Sequence, residues 1–452
     1  MINTLYLPEL REMLELGDAQ GLREFCIALH PARTAEFMEG LTAAEAWAVL
    51  MAAEPATRAE IFPYLDREKQ IEIIETCDRE GVSRLMADMP ADERVDQLNS
   101  VDAETAGELV ALLEPEERRD VQRLQAYPEG TAGALMTTEV ARLPESLTVR
   151  GALEELSRIA ENLETIYYVY VVDGEKHLRG AVSARQLVTH LNRPNMPITE
   201  LMERNLVTVE ATDDQEAVAK KVADFDFPVI PVVDHEQHLV GIITHDDVID
   251  VLKQEATEDA YLAGAVGRIE EEYLAIPWFE FAKHRAKWLA LLFVGAMGTI
   301  FALRTYHATL ARVEWLVFFL PLLVACGGNS GSQSATLIIR ALATGEVSPA
   351  LWWTVVWREL RTGLALGLFL GSIAYLIACL MVSPADALVI PTTLILVVTA
   401  STLVGSLLPL LFARLGWDPA LMSTPFVTVI IDVLGIFIYM NVAILMLVEL
   451  SK

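Results

Sequence analysis

Five long apolar stretches follow position 287, and they constrain the fold more than any other feature of the sequence. They lie at about 288–304, 315–342, 360–382, 387–413 and 421–448. Each is close to or longer than the roughly 20 residues that an α-helix needs to cross a bilayer, the first being the shortest. We therefore predict an all-α domain of five membrane-spanning helices over 288–452, in contact with the lipid bilayer.

Almost all of the charge lies outside these stretches. Residues 1–300 contain 56 of the 63 acidic residues and 27 of the 34 basic ones, so they carry the whole net charge of −29. A surface this acidic excludes a nucleic-acid partner, whose binding site would be basic. Because no phosphate-binding loop, hydrolase triad or zinc-protease motif is present, we expect no enzymatic activity.

We predict a first domain over residues 1–130, in which residues 18 to about 130 contain an internal repeat with a period of 24 residues. Similar acidic phrases begin at four positions with this spacing: Leu41, Leu65, Met89 and Leu113. Two short helices in each repeat would produce this pattern, since Pro or acidic residues stand where each first turn would begin. We predict an acidic α-helical superhelix.

Residues 131–252 change to β-rich runs alternating with amphipathic helices, and they read as a duplicated unit. Three pairs of residues are separated by 61 positions: Asp173 and Asp234, Gly180 and Gly241, and Ser183 and Thr244. This pattern resembles a tandem pair of CBS domains, which implies an α/β fold.

The CBS resemblance also implies a nucleotide site. In such domains the segment Gly-x-x-Ser/Thr-x-x-Asp often binds an adenosine ribose. Thr244 and Asp247 match it, but Gln186 occupies the acidic position of the first copy. The resemblance implies Tyr170, Phe227 and Thr244 as nucleotide-binding residues and ATP as a regulatory ligand.

Residues 253–287 form a charged segment that favours a helix leading to the membrane, with a kink at Pro277. Basic residues indicate the orientation, because they concentrate on the cytoplasmic side. If the chain starts inside, seven basic residues near the spans are cytoplasmic and only Arg304, Arg312 and Lys452 are external. We expect a cytoplasmic N-terminus and an external C-terminus.

Asp432 lies midway along the last apolar stretch. An ionised Asp at that depth costs at least roughly 2.5–3.5 kcal/mol, so it should face a wet cavity or a cation. A hydrogen bond to Ser or Thr of a neighbouring helix is the structural alternative. Because no basic residue lies at comparable depth, we favour a cation path.

The second apolar stretch contains Cys326-Gly-Gly-Asn-Ser-Gly-Ser-Gln-Ser-Ala. We expect these small and polar residues to interrupt the span, with Gly328 and Asn329 lining a pore. Close helix packing alone is the alternative.

Together these features resemble the MgtE family of bacterial Mg²⁺ channels over essentially the whole chain. The most particular segments are Gly327-Gly-Asn-Ser-Gly-Ser-Gln, Pro425-Phe-Val-Thr-Val-Ile-Ile-Asp and Asp246-Asp-Val-Ile-Asp-Val-Leu. The resemblance implies a homodimer in the inner membrane whose shared pore binds hydrated Mg²⁺ at Asp432, assisted by the Thr428 carbonyl. It implies cytosolic Mg²⁺ sites at Glu60, Asp92, Asp96, Glu216, Ala223, Asp226, Asp247, Asp250, Glu255, Glu258, Asp259 and Asp418. Ala275 departs from the family pattern, and Glu272 is the expected substitute.

Physical chemistry favours a scheme in which these cytosolic Mg²⁺ sites close the channel. Acidic domains repel one another as they close, and divalent ions bound between them would remove that repulsion. Ions that bind only the closed form stabilise it, so a fall in cytosolic Mg²⁺ would open the pore. Two alternatives remain: a channel for Co²⁺ or Mn²⁺, and a membrane-anchored nucleotide sensor.

Overall fold

The structure is a computed structural model that describes residues 5–160, 163–266, 273, 276–421 and 424–447. Its contacts divide the chain into two compact units, Met1–Lys253 and Gln254–Lys452. We refer to them as the N-terminal unit and the membrane unit. The expectations for Glu272, Ala275 and Lys452 lie outside the described residues.

The first ten helices confirm the 24-residue repeat. Two interleaved series of helices advance by 24 residues, one beginning at Pro31 and the other at Ala43, so each repeat contains two helices. The four residues that open the repeated phrases are buried, with at most 5 % exposure. The bounds are α1 (Leu7–Leu16), α2 (Ala19–Ala28), α3 (Pro31–Met38), α4 (Ala43–Ala52), α5 (Pro55–Ile61), α6 (Arg67–Thr76), α7 (Arg79–Ala87), α8 (Ala91–Asn99), α9 (Ala103–Leu112) and α10 (Pro115–Leu124).

Long polar side chains close the helix ends at the same period. Gln70, Arg94 and Arg118 each donate to three backbone carbonyls at the end of the preceding helix or turn, at 2.7–3.2 Å. The last carbonyls of a helix have no partner within it, so these bonds satisfy groups that would otherwise need water. The repeat is therefore held by polar caps as well as by its apolar core.

The rest of the N-terminal unit contains two similar three-stranded sheets. In each sheet the first pair of strands is parallel and the second antiparallel. Both strands of the antiparallel pair in the first sheet have a counterpart 61 residues later in the second sheet, which confirms the tandem CBS organisation. The elements are α11 (Ala132–Leu135), β1 (Arg142–Pro144), α12 (Val149–Ile159), β2 (Tyr168–Val172), β3 (Leu178–Ser183), α13 (Ala184–Thr189), β4 (Val209–Glu210), α14 (Gln215–Phe225), β5 (Val229–Val233), β6 (Leu239–Thr244) and α15 (His245–Ala263).

The membrane unit is helical, and five of its described helices are long and apolar enough to cross a membrane. Four of them, α18, α19, α21 and α22, pack together, and α16 packs on α22. The bounds are α16 (Trp278–Thr305), α17 (His307–Arg312), α18 (Leu316–Ala343), α19 (Trp352–Ala378), α20 (Pro384–Ala387), α21 (Val389–Arg414) and α22 (Thr424–Met446). The predicted architecture of a helical domain, a CBS pair and five candidate spans is confirmed.

Two local expectations were wrong. Pro277 does not kink a helix, because it is the N-cap of α16, and the preceding helix α15 ends at Ala263. Proline fits that position because the first N–H groups of a helix have no partner within it. The second span is not interrupted either, since α18 continues as α-helix through its glycines.

The glycines of α18 instead permit close packing. A Cβ on Gly405 of α21 would lie 2.2 Å from the carbonyl oxygen of Gly331 of α18, a distance that no side chain tolerates. Small residues let membrane helices approach until their backbones touch, which increases van der Waals contact. This contact fixes α18 against α21.

Candidate functional site

Asp432 lies on α22 and faces α18. Its Oδ1 atom is buried and has no hydrogen-bond partner among the described residues. One turn earlier, the Thr428 hydroxyl donates to the Thr424 carbonyl at 2.9 Å and lies 3.0 Å from the Ser332 hydroxyl of α18. Since Thr428 has already used its only proton, Ser332 is the donor in that pair. The result is a half-buried carboxylate beside two ordered hydroxyls.

Gly328 of α18 leaves space next to this carboxylate. A Cβ on Gly328 would lie 3.5 Å from Asp432 Oδ1 and 3.0 Å from the Thr428 methyl, so a larger side chain would crowd the acid. The neighbouring Asn329 is exposed on the surface of the protomer. Of the two predicted pore-lining residues, Gly328 therefore lies at the acid, and Asn329 lies on the exposed surface of α18.

A second buried acid in the membrane unit was not predicted. Glu359 of α19 is 8 % exposed and accepts a hydrogen bond of 2.8 Å from the Ser334 hydroxyl of α18. The Thr402 hydroxyl of α21 lies 3.2 Å from the Glu359 backbone carbonyl and 3.0 Å from the Thr399 carbonyl of its own helix. The Glu359 carboxylate thus joins α19 to α18, and its backbone lies against α21.

The N-terminal unit gathers a cluster of carboxylates between α8 and the second CBS copy. It contains three predicted residues, Asp92, Asp96 and Asp247, and two that were not predicted, Glu93 and Glu164. Asp92 Oδ1 is buried and has no hydrogen-bond partner among the described residues. By contrast, Asp247 accepts a hydrogen bond of 2.6 Å from the Thr244 hydroxyl.

Burial and mutual repulsion perturb these acids. Burial raises the pKa of Asp92 well above its usual range, and Asp247 raises it further. Burial and the facing carboxylates raise the pKa of Glu93 and of Glu164 to about 7. The Asp96 side chain is exposed at the edge of the cluster. The loss of solvent around its carboxylate is the main cause that raises its pKa to about 6, and the charge of Asp247 is the second. Bringing such groups together is unfavourable unless a proton or a cation compensates them.

The cluster is not a preformed chelate. Among the described residues, no group of three or more His, Cys, Asp or Glu side chains is arranged to hold a metal ion. The orphaned oxygen of Asp92 and the raised pKa values nevertheless fit a hard divalent cation, which prefers carboxylate and water oxygens. The chemistry of the residues present therefore suits Mg²⁺, although their side chains are not arranged as a chelate.

The other predicted acids of the N-terminal unit are spread over its surface. Glu60 is exposed on α5, and Asp250 forms an exposed ion pair with Lys253 at 2.7 Å. Glu216 begins α14, whereas Ala223 and Asp226 lie at its other end, all three exposed. At 1.5 Å per residue, Glu216 and Asp226 are roughly 15 Å apart along the helix, so one ion cannot bind both within a protomer.

The predicted acids of the membrane unit include one close pair. Glu255, Glu258 and Asp259 share the last turns of α15. Burial raises the pKa of Asp259, and Asp418 is the charge that raises it most, ahead of Glu255 and Glu258. The structure thus places Asp418, in the loop before α22, beside Asp259 of α15. We call α15 the connecting helix.

A cavity of about 350 Å³ lies between the two CBS copies. Aromatic residues of both copies line it, among them the predicted Tyr170 and Phe227, whereas Thr244 is not a lining residue. Ser183 and Gln186 also line it, but the Gln186 amide already bonds to Ser183 and to the Leu201 carbonyl. The cavity has the volume of a small-molecule site and walls that suit a flat ring.

Comparison with known proteins covers both units. The model of the intracellular N domain of MgtE matches residues 29–130, the CBS model matches residues 132–193 and 198–254, and the MgtE divalent cation transporter model matches residues 320–442. The magnesium transporter MgtE of Thermus thermophilus is 38 % identical over 444 residues, which are 97 % of this chain and 98 % of that protein. The chain belongs to the MgtE family.

Other MgtE proteins agree with this assignment. The magnesium transporter MgtE of Enterococcus faecalis is 36 % identical over 73 % of this chain and 72 % of its own length. The crystal structure of the cytosolic domain of the Mg²⁺ channel MgtE in complex with ATP has 38 % identity and a TM-score of 0.50, covering 54 % of this chain and 98 % of that one. The soluble part of a magnesium transporter has 34 % identity and a TM-score of 0.52, covering 55 % and 97 %. The N-terminal unit is therefore the cytosolic part of an MgtE protein.

Two residues of this MgtE protein escaped prediction for different reasons. Glu164 lies far in the sequence from Asp92 and Asp247, and only the fold brings the three together. Glu359 could have been noticed, because it lies eight residues inside α19, between two arginines that face outward. An acid inside a span is a functional candidate by default.

Proposed function

We propose that this chain is a channel that conducts Mg²⁺ through its membrane unit, with Asp432 binding the ion on its path. The observation that carries the proposal is the buried Oδ1 of Asp432, which has no hydrogen-bond partner in the described part of the chain and lies beside Gly328 and the Ser332–Thr428 pair. A carboxylate inside a membrane domain is stable when a cation or water meets it. Mg²⁺ keeps most of its water and takes one or two carboxylates, which suits a single half-buried carboxylate such as that of Asp432. The magnesium transporters to which the chain is similar support Mg²⁺ as the cargo.

Ion flux into proteoliposomes tests this function. We expect Asp432→Asn to reduce Mg²⁺ flux at least about tenfold, since a contact to a charged group is worth more than about 1.5 kcal/mol. Asp386→Asn is the matched control, because Asp386 lies in the short helix α20 at the start of a span, where its carboxylate accepts a hydrogen bond from the Ser383 hydroxyl at 2.7 Å. Mg²⁺ flux through Asp432→Asn at the native rate would refute the pore assignment. Replacing Mg²⁺ by Co²⁺ or Mn²⁺ in the same assay determines the preferred ion.

Cytosolic Mg²⁺ closes this channel by binding the acids of the N-terminal unit and of the connecting helix. Two clusters support this part of the proposal: the acids around Asp92 and Asp247, and the Asp259–Asp418 pair. An ion that binds only the compact arrangement stabilises it in proportion to the logarithm of the ion concentration. Closure at high Mg²⁺ and opening at low Mg²⁺ follow from that linkage.

ATP is the proposed regulatory ligand of the cavity between the CBS copies. The aromatic walls formed by Tyr170 and Phe227 support a purine base, as does the ATP complex of the similar cytosolic domain. Isothermal titration of the full-length protein with ATP checks this assignment. Phe227→Ala should weaken the binding, because the base loses one of its stacking partners.

The working channel is a homodimer in the inner membrane. Asn329 supports this, because a polar side chain on the outer face of a span needs a polar surrounding such as a pore shared with a second copy. The N-terminus is cytoplasmic and, after five crossings, the C-terminus is external. Reporter fusions at the two ends should therefore give opposite signals, and equal signals would exclude an odd number of spans.

A further inference from the structure

The first turns of α19 present an aromatic surface to the outside of the membrane unit. Trp352, Trp353 and Trp357 are 44 %, 55 % and 47 % exposed. Their rings contact one another, with centroids 5.2 Å apart between Trp352 and Trp353 and 6.0 Å apart between Trp353 and Trp357. Tryptophan favours the head-group layer of a bilayer, where its ring is partly buried and its N–H stays in a polar environment.

Two arginines continue this surface. Trp353, Trp357 and Arg361 are separated by four residues each, so they form one stripe along the helix, and Arg358 lies one turn before Arg361. Both arginines are exposed. Among the described residues, neither guanidinium has a carboxylate within ion-pair distance. The Glu359 carboxylate cannot neutralise them, because it faces Ser334 in the interior of the bundle.

The position of the stripe along the chain defines its membrane side. The chain enters the membrane unit through α16, and α18 is the second long apolar helix. Two crossings return the chain to the side from which it entered, so α19 begins on the same side of the membrane as α16. Arginine side chains near the end of a span extend toward the interface, so both guanidinium groups can reach the lipid phosphates.

We propose that the stripe formed by Trp353, Trp357, Arg358 and Arg361 binds the phosphate group of an anionic phospholipid. A guanidinium matches a phosphate with two parallel N–H···O bonds, and the indole rings, which precede the arginines along α19, would pack on the water-facing side of the head group. An anionic lipid fits better than a zwitterionic one, whose ammonium group already neutralises the phosphate. A second copy of the chain is a poorer occupant, because a two-fold contact through this stripe would set arginine against arginine.

Quenching of tryptophan fluorescence in vesicles tests the proposal on the full-length protein. The probes are brominated phosphatidylglycerol and brominated phosphatidylcholine, each at the same mole fraction in a phosphatidylcholine bilayer. The anionic probe should quench at least about twofold more than the zwitterionic one, because local enrichment follows the charge. The double variant Arg358→Gln, Arg361→Gln should remove this difference.

The control is Arg312→Gln, which removes an exposed arginine of α17. Since α17 follows the first candidate span, Arg312 lies on the opposite side of the membrane from the start of α19. This variant should keep the difference between the two probes. Equal quenching of the native protein by both probes would overturn the proposal, whatever the folding of the variants. A difference that persists in the double variant would also overturn it. If the double variant Trp353→Phe, Trp357→Phe is quenched as strongly as the native protein, these indoles do not contact lipid. A second copy would then cover the stripe, and the proposal would be wrong.

Discussion

The Ser332 hydroxyl of α18 lies 3.0 Å from the Thr428 hydroxyl of α22, one turn before Asp432. This hydrogen bond joins the glycine-rich helix to the helix that carries the buried acid. It also holds both hydroxyl groups in fixed orientations beside the carboxylate. A hydrated ion at Asp432 would therefore meet an ordered polar wall instead of freely rotating side chains, and such preorganisation reduces the cost of binding.

The first prediction follows from that pair. Ser332→Ala removes the donor to Thr428, so the wall loses one polar group and the hydrogen bond that joins α18 to α22, while Thr428 keeps its bond to the Thr424 carbonyl. We expect Mg²⁺ flux to fall several-fold, the effect of about 1 kcal/mol for one neutral hydrogen bond. Ser372→Ala is the control, because Ser372 is exposed on α19 and bonds only to the carbonyl of its own helix at 2.7 Å. Unchanged flux in Ser332→Ala would exclude the pair from the ion path.

The second prediction concerns Glu359, which holds α18 and α19 together through Ser334. Glu359→Ala leaves the Ser334 hydroxyl without its acceptor in a buried place, which costs about 1–3 kcal/mol. The unfolding temperature of the detergent-solubilised protein should fall accordingly. Glu359→Gln keeps an acceptor of the same size and should be close to native, as should Glu346→Ala in the exposed loop before α19. Equal losses in the Ala and Gln variants would show that the negative charge, and not the hydrogen bond, stabilises the bundle.

Periodic features of this chain could be predicted because they depend on local chemistry. The 24-residue repeat predicts helix starts such as Ala43 and Arg67, since each start combines a polar cap with a buried leucine. Asp432 could be identified for the same kind of reason, because one acid in a long apolar segment has few physical explanations.

Contacts between distant segments could not be predicted in this way. The glycines of α18 were expected to break the helix, but their purpose depends on Gly405, which lies on another helix. Glu164 joins the acid cluster only because its loop folds back toward Asp247. A single sequence shows which residues are unusual, whereas their partners are a property of the packed structure.

The third prediction is a pH dependence of the N-terminal unit. Glu93 and Glu164 have pKa values of about 7 in the folded protein, well above the value of about 4.3 of an exposed Glu. A raised pKa in a carboxylic acid means that the folded state holds its proton more tightly, so stability is present at low pH and is lost as pH rises toward 7. Without divalent ions, amides of α8 should therefore exchange hydrogen faster at pH 8 than at pH 5, after correction for the intrinsic rate. Millimolar Mg²⁺ should restore protection at pH 8.

The Asp173 turn is an internal reference for that measurement. The pKa of Asp173 is lowered to about 2, because His177 donates hydrogen bonds to its carboxylate. Asp173 therefore stays ionised throughout this pH range, and the corrected exchange of its neighbouring amides should not follow the exchange of α8. Protection of α8 that rises with pH in the absence of divalent ions would contradict the assignment of repelling acids in this cluster.

The fourth prediction identifies Glu164 as part of the Mg²⁺ sensor. Its carboxylate acts on both Asp92 and Glu93, so it contributes negative charge to the site that Mg²⁺ would occupy. Glu164→Gln has two opposing effects on closure. It relieves repulsion between acids, which favours the compact form, but it also weakens the binding of the ion that stabilises that form. At an effective dielectric of 20, two charges about 4 Å apart interact by roughly 4 kcal/mol, and a divalent ion contributes such an attraction with every carboxylate around it.

The loss of ion binding should therefore outweigh the relief of repulsion when Mg²⁺ is plentiful. In inside-out patches, the Mg²⁺ concentration that half-closes the channel should be several-fold higher for Glu164→Gln than for the native protein. Glu175→Gln is the matched control, because Glu175 lies in a turn of the same CBS copy with its side chain 84 % exposed. If the two variants shift the closing curve equally, the effect is one of general surface charge and Glu164 has no specific part in the sensor. A shift to lower Mg²⁺ in Glu164→Gln would instead show that repulsion among these acids, and not ion binding by them, determines when the channel closes.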